Sequence, residues 1–243
     1  METIEIKDNE GKLLYSYTCE NNSISKTLKQ ASIEHIRLNN ANLSGRFIEN
    51  VSLSELSLIK ANFANSVFNN VIIINSHLSG ADLTWAEIKN TSFFDTECHH
   101  SNFINSFIEN SKFLSCSLDN ALFYYANIKN SEFWSRAWDI NFIGTSFDNV
   151  NYKNNIIKDT HDVACIGNIG SRYSCTTVFN TDKGIFVSCG CFFGTLKEFK
   201  ERVLITHKYN PKYKKEYLDM INYVQKRFKP KFSLKSIFKY ERK

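Results

Sequence analysis

From Leu28 onward the chain places an apolar residue at every fifth position, with mostly polar residues between. The series runs through Ile33, Leu38, Leu43 and Ile48 to Phe93, Cys98, Phe103 and Ile108, then through Phe133 and Trp138 to Ile143, 24 positions in all. Sites five apart on an α-helix lie about 140° apart and wander around its surface. On a flat strand an odd spacing sends every second side chain to the wrong face. The pattern therefore predicts a chain that bends once per five residues and keeps the large apolar groups inside. The residue two before each ladder site is usually small, as at Ala41, Ala61, Ser66, Ala81, Ser101 and Ala121, which lets the interior close. The residue two after is often Asn, as at Asn40, Asn50, Asn65, Asn90, Asn110 and Asn130, a residue that tolerates turn geometry at a repeated corner.

The flanks read differently. Residues 1–25 alternate apolar and polar around Asn9, Glu10 and Gly11, which predicts a β-hairpin cap, and "ISKTLKQASI" predicts a short helical turn into the first coil. After Ile143 the fifth residue is Asp148, so the ladder is expected to stop there and the repeat to occupy 26–148. Residues 149–243 predict a small α+β domain. Two strands surround the turn Thr181 to Gly184, and a helix opens on a Thr195/Glu198 capping box with Leu196, Phe199, Val203 and Leu204 inward. A second helix follows over about 212–228, its inner face held by Tyr217, Met220, Ile221, Val224 and Phe228.

The segments "ANLSG", "ANFAN", "ADLTW" and "ANIKN" resemble the pentapeptide-repeat family, whose motif is Ala–Asp/Asn–Leu–x–x. The resemblance implies a mainly β fold: a right-handed quadrilateral β-helix with four repeats per coil. Six coils at about 4.8 Å each would make a rod of roughly 29 Å, whose open ends need caps. The whole chain also resembles a phage and prophage group of that family. The marks of that group are Gly11-Lys12, the segment Ile169-Gly170-Ser171-Arg172, the stretch from Gly190 to Phe199, and the Tyr-rich helix from Tyr213 to Tyr223. That second resemblance implies a mobile-element accessory or anti-defence factor, without a mechanism.

Charge divides the chain. Residues 1–150 hold 11 Lys/Arg against 17 Asp/Glu, or −6, and residues 151–243 hold 19 against 8, or +11, consistent with the overall +5. The contrast suggests two modules. The first residues show no apolar leader, no run is long enough to span a membrane, and seven cysteines without an export signal suit free thiols in a cytoplasm.

Candidate chemistry is sparse. Gly170, Ser171 and Arg172 with the helix start at Thr195 could hold a phosphate or carboxylate; the competing account is tight turns and a local ion pair for Arg172. Cys175, Cys189 and Cys191 with His161 and His207 lack the paired spacing of a zinc site and read as buried thiols. As nucleophiles beside His207 they would need a larger lobe than about 90 residues. His99 and His100 read as surface residues at a corner. The tail from Lys226 carries eight Lys/Arg and one Glu among aromatics, which suits nucleic acid, an anionic surface, or packing on its own domain. If a coil takes 20 residues, Ile74, Phe94, Leu114 and Trp134 form one outward apolar stripe, with Ile104 and Tyr124 a shorter one. The stripe is expected to be covered by the basic domain, a second copy or another protein.

No cofactor, metal or catalytic set is read from these residues. The expected function is a non-enzymatic interaction protein with a protein partner, or a homodimer, in the bacterial cytoplasm. A small-anion or nucleotide binder acting through the C-terminal domain is the alternative. Some family members mimic duplex DNA and protect topoisomerases; here the acids of positions 49, 69, 89, 109 and 129 are broken by Asn and Lys, which does not form an acidic stripe.

Overall fold

The computed structural model describes residues 1–136, 140–167, 169–172 and 175–228. Two antiparallel strands, β1 (Glu2–Lys7) and β2 (Leu13–Cys19), are followed by the helix α1 (Ile24–Ile33). The Asp8 carboxylate ties the hairpin turn by accepting the Glu10 and Lys12 backbone N–H groups at 3.0 and 2.9 Å.

A square solenoid follows. Its regular strands are β3 (Phe47–Ser54), β4 (Val67–Ile74), β5 (Glu87–Lys89), β6 (Ser92–Phe94), β7 (Phe107–Glu109), β8 (Lys112–Ser117), β9 (Asn127–Lys129), β10 (Glu132–Arg136) and β11 (Ser146–Tyr152). They pair with one another in parallel, and through β3 to β9 the partners are 20 residues apart: Phe47 faces Val67, Val67 faces Glu87, Glu87 faces Phe107, and Phe107 faces Asn127. Single bridges repeat the offset on the other two sides, through Arg37, Ser57, His77, Glu97 and Ser117 and through Asn42, Asn62, Asp82 and Asn102. Four sides of five residues give the 20-residue coil, and the solenoid makes about five turns.

The interior follows the ladder. Phe93, Phe113 and Phe133 stack with centroids 4.7 and 4.8 Å apart, and Phe103 stacks on Phe123 at 4.6 Å. These distances match the spacing of hydrogen-bonded strands, because in-register parallel coils place each ring over its equivalent. The small residues that precede the ladder sites are all buried, from Ala31 to Ser131. Their hydroxyls return bonds to the backbone: Ser66 donates to the Phe63 carbonyl at 2.6 Å and Ser101 to that of Leu78 at 2.8 Å. A buried hydroxyl without such an acceptor would be costly.

The corners explain the asparagines. Asn40, Asn50, Asn65, Asn70, Asn75, Asn90, Asn105, Asn110, Asn120 and Asn130 all have φ between 46° and 60°. This left-handed conformation costs other L-residues about 1–2 kcal/mol and Asn less.

Three expectations need correction. The ladder does not begin at Leu28 in solenoid form, because α1 replaces the first steps. Leu28 is buried, but Ile33 is 58% exposed, as the 140° separation of helical sites five apart requires. This is one reason the solenoid is shorter than six coils. Nor does the ladder end at Ile143, which is 37% exposed. The pairing offset falls from 20 to 19 as Leu122 faces Asn141, Asn127 faces Ser146 and Phe133 faces Tyr152. One coil is a residue short, so Phe142, Phe147 and Tyr152 carry the ladder onward inside. The expected Trp138 rung lies outside the described residues. Third, Leu204 is exposed rather than inward.

Both open ends are closed. At the first coil, Ser25 of α1 accepts the Glu49 N–H at 2.8 Å. Ser32 accepts the Ser54 N–H at 3.0 Å and donates to the Ser54 carbonyl at 2.7 Å, and the Lys7 carbonyl accepts the Asn42 N–H at 2.7 Å. At the last coil the chain reverses into β12 (Asn155–Asp159), antiparallel to β11. A four-stranded antiparallel sheet follows, in the order β13 (Val163–Ile166), β14 (Thr176–Thr181), β15 (Gly184–Cys189), β16 (Phe192–Thr195). One sheet face puts Phe179, Phe193, Val163 and Cys165 against the solenoid core. The other puts Val178 and Val187 against α2 (Leu196–Thr206) and α3 (Pro211–Arg227). The sheet is thus the plug of the solenoid, and β11 runs through the boundary expected at 148.

Candidate functional site

The outward stripe forms as a register-matched column. Ile74 faces Phe94 across β4 and β6, Phe94 faces Leu114 across β6 and β8, and Leu114 faces Trp134 across β8 and β10. Ile74 and Leu114 are half-buried, while Phe94 and Trp134 remain 43% and 48% exposed. The expected fold-back of the C-terminal domain over this column is not found among the described residues, because that domain is committed to closing the solenoid end. The shorter pair Ile104 and Tyr124 lies in the same 20-residue register, since Asn102 faces Leu122 and the Asn105 N–H donates to the Tyr124 carbonyl at 2.9 Å; the Tyr124 hydroxyl accepts a bond from Asn141 at 2.8 Å.

The column that would carry an acidic stripe is mixed in charge. Glu49, Asn69, Lys89, Glu109 and Lys129 face one another in register, and Lys89 is held by Glu87 at 2.8 Å.

Gly170, Ser171 and Arg172 form a 3-10 turn that meets α3. The Gly170 N–H donates to the Glu216 carboxylate at 2.7 Å. Gly170 has φ of 69°, and a Cβ there would meet the Tyr217 ring at 2.1 Å, so glycine is required for both reasons. Ser171 is exposed; the Arg172 side chain lies outside the described residues. Thr195 sits in the expected capping box: its N–H and hydroxyl donate to Glu198 at 2.8 Å each, and it accepts the Glu198 N–H at 3.2 Å. The resulting hydrogen bonds hold the Glu198 carboxyl below its ordinary value. The turn and the helix start are thus each engaged by a carboxylate of the chain itself.

Thr176 donates to the Cys189 sulfur at 3.3 Å, and Cys191 is exposed. Burial raises the Cys98 and Cys116 thiols inside the solenoid, Cys116 to about 12. Among the described residues no three His, Cys, Asp or Glu side chains gather as metal ligands. His99 lies 3.3 Å from Asp119 one coil on, and His77 2.8 Å from Glu97 in the same relation. His100 is an exposed left-handed corner. The basic tail from 229 lies outside the described residues, and none of the described helices is long and apolar enough to cross a membrane.

Sequence reasoning passed over Trp85 and Tyr125. Both are exposed aromatics in left-handed corners, with φ of 60° and 56°. Their signal was available: each stands two after a ladder site, where Asn is the rule.

Residues 48–84 match the family model described as pentapeptide repeats, in 8 copies. No curated protein matches the chain. Among solved structures, the chain is similar to a trypsin-treated QnrB1, a plasmid-mediated fluoroquinolone resistance protein, at 12% identity. That likeness covers 49% of this chain and 73% of that one, with a TM-score of 0.29. It is similar to HetL, a pentapeptide repeat protein involved in heterocyst differentiation regulation from the cyanobacterium Nostoc sp. strain PCC 7120, at 16% identity. Here 40% of this chain and 46% of that one are covered, with a TM-score of 0.19. It is likewise similar to Rfr23, a pentapeptide repeat protein from the cyanobacterium Cyanothece 51142, at 14% identity over 45% and 62% of the two chains, with a TM-score of 0.19. At these identities and TM-scores no property of those proteins passes to this chain. The 8 matched copies lie within the square coil, so pentapeptide repeats build this part of the chain.

Proposed function

We propose that this protein is a non-enzymatic interaction module whose solenoid flank docks a macromolecular partner. The observation that carries this reading is the column Ile74, Phe94, Leu114 and Trp134. Its side chains stand in register on a parallel ladder and lie partly in water. A hydrophobic row on a rigid sheet buries area without the ordering cost of a loop, which favours association. The partner is a protein or a second copy of the chain. The mixed charge of the neighbouring column argues against a duplex-DNA mimic. Service as a phage or prophage accessory in a bacterial cytoplasm is the finer part of the same proposal.

Phe94→Lys places a charge at the centre of the column without touching the core. Sedimentation of the wild type and the variant tests self-association. Affinity capture from bacterial cells tests a foreign partner. A species or dimer present with wild type and lost with Phe94→Lys, at unchanged thermal stability, supports the proposal; identical behaviour of the two chains overturns it.

A further inference from the structure

The shortened coil also opens a cavity. Trp134 faces Leu114, but Arg136 faces Ser117, so two residues of β10 span what three span on β8. The chain cuts this corner, and a cavity of about 590 Å³ remains, lined by Asp95, Ser115, Ser117, Trp134, Ser135 and Lys153. That volume falls within the range of small-molecule sites, about 300–1,000 Å³.

Two of its groups stand out, one without a partner and one partly stripped of water. Ser76, Thr96 and Cys116 hold the inner small position of successive coils. Each donates to the carbonyl two residues before it, at 2.9, 3.0 and 3.5 Å. Ser135 is the next in that column, is only 7% exposed, and its hydroxyl has no hydrogen-bond partner among the described residues. A buried hydroxyl in this condition is costly unless a hydrogen-bonding group fills the space beside it. The second group is Lys153. Its ammonium lies 4.7 Å from the centre of the Phe193 ring and 5.5 Å from that of Tyr152. Burial lowers its pKa, with Asp119 opposing. An anion beside it would offset that loss of hydration. Trp134 adds a half-exposed aromatic face, and Asp95 an acceptor.

We propose that this cavity binds a nucleoside monophosphate: the base stacked on Trp134, the phosphate at Lys153 and Ser135, and Asp95 accepting from a base or sugar N–H or O–H. Aromatic stacking with a charge-assisted phosphate contact is the pairing these residues offer. The cavity shares Trp134 with the docking column, and Lys153, which stands outside that column, separates the two readings.

Calorimetric titration of the full chain with adenosine and guanosine monophosphate, and with the matching nucleosides, tests it. The wild type is expected to take at least one nucleotide about tenfold more tightly than its nucleoside. Lys153→Gln is expected to abolish that preference, and Trp134→Leu to weaken nucleotide and nucleoside alike, with melting temperatures confirming that both variants fold. Binding of neither nucleotide by the wild type, or a nucleotide preference untouched by Lys153→Gln, overturns the assignment. Trp134 is exposed enough that its variant keeps the test readable if Lys153→Gln fails to fold.

Discussion

The Phe179 ring stacks on that of Tyr152, centroids 4.9 Å apart and planes 25° from parallel. Tyr152 is the last inward residue of the solenoid and Phe179 comes from the middle strand pair of the C-terminal sheet, so this contact continues one ladder of rings across two kinds of fold. Phe142 meets Phe179 edge-on at 6.2 Å, and Phe193 flanks Tyr152 at 5.5 Å. Phe179→Ala would leave a void at the plug and is expected to cost about 3–5 kcal/mol. Urea unfolding followed by circular dichroism measures it. A loss below about 1 kcal/mol would mean that the sheet merely leans on the solenoid.

The left-handed corners make opposite predictions for two residues. Trp85 occupies such a corner without the adaptability of Asn, so Trp85→Asn should stabilise the protein by about 1 kcal/mol, seen as a higher urea midpoint at unchanged slope. Gly144, with φ of 70°, lies beneath the Tyr125 ring, where a Cβ would come within 2.4 Å. Tyr125 is exposed and can swing aside, so Gly144→Ala should cost mainly the backbone term, about 1–2 kcal/mol. If Tyr125→Ala restores most of that loss, the ring and not the backbone is the cause.

Thiol reactivity should divide the cysteines by depth. Cys191 is exposed, whereas Cys98 and Cys116 are wholly buried, with burial holding the Cys116 thiol at about 12. The thiolate is the reacting form. Iodoacetamide at about pH 8 should therefore modify Cys191 in the native protein, and Cys98 and Cys116 only after urea is added. Mass spectrometry of tryptic peptides reads the result, and equal native rates at Cys116 and Cys191 would contradict a closed solenoid.

The capping box should make stability depend on acid. The pKa of Glu198 is lowered from its ordinary 4.5, first by the Thr195 backbone N–H and then by the Thr195 hydroxyl. A carboxyl whose folded value is depressed contributes fully above its unfolded value, and that contribution is lost as pH falls through the folded one. The difference in melting temperature between wild type and Glu198→Gln should therefore be constant at neutral pH and shrink below about pH 4.5. A difference that grows on acidification would show that Glu198 has another partner.

The C-terminal capping box and both hairpin turns were legible for a local reason: each is specified by residues within a few positions of one another, as Thr195 and Glu198 are. The bond from Gly170 to Glu216 joins residues 46 apart in sequence, and no local pattern announces it. The sequence left the glycine open to an anion-binding loop or a tight turn, and only the fold supplies its φ of 69° and the Tyr217 ring packed against it. The cavity at Lys153 was hidden for the same cause, since it exists only where one coil fails to match the next.

By itself the sequence determined the five-residue period, the inward groups and the Asn corners, because a chain that must turn at every fifth residue stamps each requirement on a single repeating position. Tertiary structure alone decided where that period slips. Phe142 and Ile143 are equally apolar neighbours, and the choice between them is made by hydrogen bonds to the preceding coil, which put Asn141 opposite Leu122 and turn Phe142 inward. It also decided that the C-terminal sheet closes the solenoid and leaves the apolar flank in water, since which hydrophobic surface is covered depends on where the ends of the coil fall in space.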